Sequence, residues 1–549
     1  MLQKHPYNTA YLSLLINSYQ NTNSFLKTED LIKTQLKKYP NRPFLWVELG
    51  YNLQLQHKTT EANDYYKKAL TAIKTNPNAG YLVGKTFQEN HLLTYALQAY
   101  LEASKLNPNT NYNYQIASIY GEQGEFENMF STYLEMINSN VEYVNTVKTL
   151  IGRYITEDPA NEYNLILKKL LLKQLRNNPN TSWNHLLSWL FLQEKNYYKA
   201  FIQEKALHKR NEVGLDNIFE IGVLALDNTD FNTASICFNY GLENNPTLDE
   251  ALLAKLYLLQ IAMETSTDLN AIDTQFNSLF NQYGKGLTTL SVQLVYANFL
   301  TYKYNNSNKA IALLKETLQL PINKFQEGGI KITLADIYVF QNKFNTALIY
   351  YSQVQTNLKN HPIAQKARFK TAQTSYFKGD FEWAQSQLKV LKKSTSQLIA
   401  NDALALHLLI TDNTVKDSTK TALKIYAKAE LKEFQKKEKE AIELLTQVIE
   451  TYPNHSILDE ALYKQAKLFE RTKHYNNAAQ NYLQIIQNFN FDILIDDAIY
   501  YLAELYANQL NDPEKAKTYY QKIVFNHPSS IYLVEARKKF RALRGDILN

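Results

Sequence analysis

Along most of the chain, apolar residues recur at i, i+3, i+4 and i+7 in stretches of about 12 to 15 residues, and the stretches come in pairs divided by a short polar turn. Each stretch reads as a helix with one apolar stripe, and each pair as two antiparallel helices. The pairs recur at a fixed interval: Pro6 to Pro40 is 34 residues, Pro43 to Pro77 is 34, and Pro77 to Pro108 is 31. A period near 34 means stacked units and not one compact core. Proline closes a unit because it has no N–H and a fixed φ, and Asn-Pro recurs at 76, 107, 178 and 245.

On this register Trp46, Leu49, Gly50, Leu53, Ala62, Tyr66 and Ala69 of one unit are followed by Val83, Gly84, Phe87, Ala96, Tyr100, Ala103 and Pro108 in the next. Small residues fall where the two helices cross (Gly50 and Ala62, Gly84 and Ala96, Gly222 and Ala234), since a larger side chain would hold the axes farther apart than ~8 to 10 Å. An aromatic a few residues on (Tyr66, Tyr100, Phe238, Tyr351, Tyr482, Tyr520) is expected to fill the space left. The small position continues through Ala200, Ala234, Ala310, Ala347, Ala384, Ala441, Ala478 and Ala516, and its spacing lengthens to 37 in the second half.

The pattern resembles the tetratricopeptide repeat (TPR). The resemblance implies an all-α fold, a right-handed α-solenoid of about fourteen antiparallel helix pairs. Ala384 to Ala441 spans 57 residues, a unit plus about 20, which fits an unpaired helix at Gln397 to Ile410 and a hinge loop, TDNTVKDS. The expected segments are therefore 1–396, an N-terminal TPR segment; 397–418, extra helix and hinge; and 419–549, a C-terminal TPR segment with a capping helix near Ile531 to Leu543. Pro6 sits at the closing position of a unit. The chain is thus expected to begin near the end of a second helix, to leave Tyr11, Leu12, Leu15 and Ile16 uncovered, and to be an N-terminally shortened form.

Composition sharpens this picture. Only 15 of 549 residues are Gly and 13 are Pro, which disfavours turn-rich sandwiches, propellers and glycine-rich nucleotide-binding sheets. A net charge of +6 is too dilute for a nucleic-acid footprint. One cysteine, Cys237, excludes an internal disulfide framework and a thiolate cluster, and its place beside Phe238 predicts an inert buried thiol. No run approaches the ~18 apolar residues of a transmembrane helix, and the start lacks the order of a signal peptide.

Candidate chemistry is sparse. Gly84-Lys85-Thr86 imitates the end of a phosphate-binding loop, but the required upstream glycine is Ala79, and Gly84 is already the crossing residue of its unit. The ten histidines form no H-x-x-x-H pair and read as solvated turn residues, so no metal, cofactor or catalytic residue is expected. The basic run Arg537, Lys538, Lys539, Arg541 and Arg544 suits the last turns of a helix, with peripheral contact to an anionic membrane surface as the alternative.

In a TPR unit the first helix lines the concave face. The resemblance places Phe44, Val47, Tyr51, Tyr81, Lys85, Gln88 and Tyr114 there, with a further group, Phe369, Tyr376 and Tyr463, in the later units. An aromatic and amide-rich groove suits an extended peptide or partner helix. The basic clamp of chaperone-binding TPR domains is absent from these positions, which carry Val47, Tyr51, Tyr81 and Tyr114. The implied function is a non-enzymatic protein-interaction scaffold. The last units, IETYPNHSILDEALYKQAKLFE and IDDAIYYLAELY, resemble envelope TPR proteins of outer-membrane assembly and the Tol-Pal system, implying a bacterial periplasmic or cell-envelope setting; a cytoplasmic regulatory or assembly adaptor is the alternative.

Overall fold

The computed structural model describes residues 8–210, 213–391, 397–414, 419–489 and 493–546. They form thirty α-helices and two short 3-10 turns, with no strand among the described residues. The chain divides into two compact units, Met1–Ile261 and Ala262–Asn549. The first unit opens with α1 (Thr9–Asn21), α2 (Phe25–Lys38), α3 (Phe44–Gln54), α4 (Thr59–Thr75), α5 (Gly80–Glu89), α6 (Leu93–Leu106), α7 (Asn113–Glu122) and α8 (Phe126–Ser139). It continues with α9 (Val144–Ile151), α10 (Glu162–Asn177), α11 (Thr181–Gln193), α12 (Tyr197–Lys209), α13 (Asp216–Asp227), α14 (Phe231–Glu243) and α15 (Leu248–Thr265).

The second unit holds α16 (Leu269–Tyr283), α17 (Leu290–Tyr302), α18 (Ser307–Thr317), α19 (Lys324–Phe340), α20 (Phe344–Asn357), α21 (Pro362–Lys378) and α22 (Phe381–Leu391). Then come α23 (Gln397–Asp412), α24 (Thr421–Phe434), α25 (Glu438–Thr451), α26 (Leu458–Arg471), α27 (Tyr475–Asn488), α28 (Ile495–Asn508), α29 (Pro513–Asn526) and α30 (Leu533–Arg544). Consecutive helices pack as hairpins and each hairpin packs on the next, so each unit is an α-solenoid.

A single turn geometry closes most hairpins. At Thr229 the N–H donates to the carbonyl of Leu226 and the next N–H, of Asp230, to that of Ala225, which is the Schellman arrangement. The same pair of bonds recurs around His57, His91, Gly124, Lys195, Asn342, Gly379, Lys436 and Lys473, all at positive φ. Glycine, the residue that tolerates this conformation without strain, fills only two of these nine turns.

The alanines of the repeat register, Ala200 through Ala516, are all fully buried, as are the interhelical aromatics. The ring lies on the small residue of its own hairpin: a Cβ built on Gly50 would sit 2.5 Å from Tyr66 Cε1, and one on Gly84 2.7 Å from Tyr100 Cε1. Gly84 is therefore a packing residue of a helix, and no phosphate loop surrounds Lys85. Cys237 is buried, and burial pushes its thiol up to about 12, which keeps it protonated.

Two expectations are corrected. Leu12 and Ile16 are fully buried in the core that α2 joins, so they are not an open apolar face, while the expected end of a second helix at Pro6 lies outside the described residues. Histidine is not confined to turns: His185 Nδ1 on α11 lies 3.0 Å from Glu204 Oε1, and His208 Nδ1 on α12 lies 2.9 Å from the Tyr240 hydroxyl. The expected segment bounds at 396 and 418 fall inside the second compact unit, and residues 392–396 and 415–418 beside them lie outside the described residues.

Candidate functional site

The first group of groove residues comes from α3, α5 and α7. Tyr81 and Tyr114 are exposed and Tyr51 is half-buried, but no ring contact joins the three. Lys85 lies 3.6 Å from Glu89, and Gln88 Nε2 donates to Glu122 at 2.6 Å. Phe44 and Val47 do not belong to a surface. They are 3% and 0% exposed because α3 is packed between α2, α4 and α5, so both sides of its first two turns are covered.

The second group converges. Phe369 and Tyr376 on α21 and Tyr463 on α26 line one cavity of about 930 Å³ inside the second unit. Its walls are the first helices of successive hairpins, α21, α24 and α26, and its remaining side is α23. α23 is seated by its apolar face, where Ala403 and Ile410 are fully buried, and by polar ties at its end. Gln385 Nε2 of α22 donates to Thr411 Oγ1 at 3.0 Å, and Ser456 Oγ, before α26, donates to Asn413 Oδ1 at 2.7 Å.

The cavity is aromatic at its base and charged on one wall. The Phe434 ring lies 6.0 Å from Phe377 and 5.9 Å from Tyr302, and Gln435 Nε2 ties the end of α24 to the Phe340 carbonyl at 2.9 Å. The Tyr376 hydroxyl donates to Glu430 Oε2 at 2.7 Å. Lys464 Nζ lies 2.9 Å from Glu430 and 3.3 Å from Glu433, and Arg471 pairs with Glu433. Burial works against the Lys464 charge, but the two carboxylates outweigh it and raise its pKa. Burial, reinforced by Glu430, raises the pKa values of Tyr376 and Tyr426 well above the ordinary tyrosine range, so both remain hydroxyl donors.

Tyr376 therefore contributes the side of a fixed ring, being 1% exposed, whereas Phe369 and Tyr463 are half-buried. Sequence reasoning missed α23 as a wall of the site, and with it Asp402, Leu408 and Asp412. A signal was present in the unpaired apolar helix at 397–410, which the repeat register could not place. Among the described residues no group of three His, Cys, Asp or Glu could hold a metal ion, and no helix is long and apolar enough to cross a membrane.

Three stretches, 425–455, 460–489 and 497–530, match the tetratricopeptide repeat family model. No curated protein matches the chain. Among solved structures, yeast Tom70 is 16% identical, with 92% of this chain and 99% of that chain covered at a TM-score of 0.31. The Naa15/Naa10 complex bound to HypK-THB is 14% identical, with coverages of 98% and 96% and a TM-score of 0.28. The APC/C hetero-tetramer Cut9–Hcn1 is 12% identical, with coverages of 99% and 98% and a TM-score of 0.24. The resemblance to envelope proteins of outer-membrane assembly and the Tol-Pal system finds no support in these matches. Residues 425–455, 460–489 and 497–530 are tetratricopeptide repeats, and the cavity is built on the first two of them, the hairpin before them and α23.

Proposed function

We propose that the chain is a non-enzymatic scaffold that holds a segment of a partner protein in the groove of its second unit. The observation that carries this is the convergence of Phe369, Phe377, Phe434 and Tyr463 on one cavity of about 930 Å³. That is within the ~300 to 1,000 Å³ of binding clefts, and its residue types are those that dominate interface energies. Tyr376 and Arg471 are already held by Glu430 and Glu433, so ordering them on binding costs little entropy.

The test replaces Phe369 and Leu408 together by Asp in the full chain and compares partner recovery from native extract with wild type. The expected result is a loss of more than ~2 kcal/mol in capture with unchanged helicity. Equal recovery would refute the groove. Tyr51, Tyr81, Lys85, Gln88 and Tyr114 of the first unit are proposed as a second contact surface, tested in the same way by truncation to Ala.

The compartment is part of the proposal in two forms. A bacterial periplasmic or cell-envelope assembly and a cytoplasmic regulatory or assembly adaptor stand as equal forms of the proposal, and both use the same groove. Fractionation of the source cells with an antibody to the chain separates the two. Peripheral contact with an anionic membrane through Arg537 and Lys538, both exposed on α30, belongs to the first form and would show as cosedimentation with anionic vesicles.

A further inference from the structure

Resting on the groove reading, the chemistry of α23 narrows what the groove accepts. α23 packs on α22 and α21 but, unlike the helices around it, has no hairpin partner among the described residues. Its groove side carries exposed Ala405 and Leu408 and half-buried Leu409, bracketed by exposed Asp402 and Asp412. Ten residues of helix separate those two carboxylates by about 15 Å along the axis at ~1.5 Å per residue. Neither has an ion-pair partner among the described residues. Of the cations on the opposite wall, Lys464 is held between Glu430 and Glu433 and Arg471 on Glu433, and Lys436 is exposed at the end of α24. An incoming segment thus meets an apolar strip with an open negative charge at each end.

We propose that the occupant is an amphipathic α-helix of a partner protein, lying along α23, with two Lys or Arg side chains ten or eleven residues apart that reach Asp402 and Asp412. The apolar stripe of that helix rests on Leu408, Leu409, Phe369 and Phe377. A helix fits where an extended strand does not. The wall offers side chains and no free sheet edge, so a strand would bury backbone N–H and C=O groups without partners, whereas a helix satisfies its own. The i, i+3 and i+4 spacing of Ala405, Leu408 and Leu409 also presents a ridge of the kind that packs into the groove of a second helix.

The test is selection on the intact chain from a displayed library of amphipathic sequences about 18 residues long, long enough to span both carboxylates as a helix. The expected winners form helices, carry Lys or Arg pairs ten or eleven apart, and lose about tenfold or more in affinity on the Asp402→Lys/Asp412→Lys variant. Acidic pairs should replace basic ones when selection is repeated on that variant. Winners that are neutral or acidic on wild type but fail on Phe369→Asp/Leu408→Asp would overturn the basic-helix proposal and leave the groove reading standing. Proline-rich or strand-forming winners would overturn it in the same way. Winners indifferent to Phe369→Asp/Leu408→Asp, or no enrichment at all, would overturn both. Circular dichroism of each variant checks that the substitutions leave the fold intact.

Discussion

Tyr66 in the first unit and Tyr520 in the second hold the same place in their hairpins, yet their hydroxyls meet different chemistry. Tyr66 donates to a neutral amide, Gln54 Oε1, at 2.9 Å. Tyr520 donates to the carboxylate of Glu504 at 2.5 Å, and Lys539 from α30 closes on the same oxygen at 2.5 Å. The contrast extends along both units. Phe238 of the first has no hydroxyl and stacks on Tyr257 at 4.8 Å. In the second, Tyr351 donates to Asp336, which lies 3.5 Å from Lys370; Tyr376 donates to Glu430, which meets Lys464; and Tyr482 donates to Glu470, which lies 3.4 Å from Lys467.

In three of these trios the lysine comes from a first helix stacked on the one that holds the carboxylate: α21 on α19, α26 on α24 and α30 on α28. Charge-assisted bonds occur in both units, among them Gln88 to Glu122 and Lys168 to Glu194 in the first, but there the rings of Tyr66 and Tyr100 meet their hairpins by shape, lying on glycine. In the second unit the ring hydroxyls themselves add directional, charge-assisted bonds that fix the phase of each hairpin on its neighbour. The groove lies where such phase matters most, because its walls are three stacked first helices and one helix outside the repeat.

Breaking a trio should therefore cost far more than breaking its neutral counterpart. Glu430→Ala leaves the buried Tyr376 hydroxyl without its acceptor and Lys464 with Glu433 alone, and should destabilise the second unit by about 3 kcal/mol. Gln54→Ala should cost about 1 kcal/mol. Thermal denaturation of both variants tests this, and equal losses would remove the distinction between the units.

The units should also respond to different ranges of pH. Glu48 on α3 is 2% exposed, and Oε2 of its carboxylate has no hydrogen-bond partner. Burial raises its pKa to about 7, a bond from Asn90 opposes the rise and the charge of Glu89 adds to it. The folded pKa lies above the unfolded one, so this stability is complete below about 4.5 and lost as pH rises through about 7. At pH 8 the loss is about 3 kcal/mol. Hydrogen exchange around α3 should speed up between pH 5 and pH 8, in those units corrected for intrinsic rates, and Glu48→Gln should abolish the change. In the second unit Tyr351 and Tyr376, raised by burial and then by Asp336 and Glu430, lose their stabilisation only above the ordinary tyrosine value of ~10.

The place under the ring offers a third contrast. Gly50 and Gly84 of the first unit have alanine counterparts in the second, Ala335 and Ala466, both fully buried. Gly50→Ala forces a Cβ to within 2.5 Å of Tyr66 and should cost ~1 to 3 kcal/mol. Ala466→Gly should cost about 1 kcal/mol, from helix propensity. Chemical denaturation of the two variants reads both values. A neutral Gly50→Ala would show that the Tyr66 ring can move.

Much of this architecture was legible in the sequence because it depends on period. The alanines, the aromatics and the closing prolines recur at a period near 34 that lengthens to 37, and the helices follow from it. The cavity was legible in part: Phe369, Tyr376 and Tyr463 occupy first-helix positions, and stacking brings them together. Phe44 and Val47 were misread because α3 is covered on both sides, and periodicity does not reveal a second covering layer. α23 had no address in the register. The trios escaped notice because the tyrosine and the carboxylate of each lie 12 to 54 residues apart and meet only when the helices that carry them adopt one phase.

The smallest expected effect concerns the turns, where the two units should behave alike. Thr229 adopts φ 62° and Lys473 φ 61°, in the left-handed region that costs an L-residue with a Cβ roughly 1 kcal/mol. Thr229 is worse placed, since a β-branched side chain crowds the backbone there most. Both turns keep the same two N–H bonds, to Leu226 and Ala225 in one and to Glu470 and Phe469 in the other, and glycine preserves them. Against this gain stands the extra freedom that glycine has in the unfolded chain, worth ~0.4 to 1 kcal/mol. Thr229→Gly should therefore stabilise by a few tenths of a kcal/mol, and Lys473→Gly by less, while Gly379→Ala at φ 89° should destabilise by about 1 kcal/mol. Denaturation midpoints of the three variants read the balance directly. A destabilised Thr229→Gly would mean that the threonine side chain holds its turn through a contact in the first unit, and the turns would then join the list of differences between the two halves.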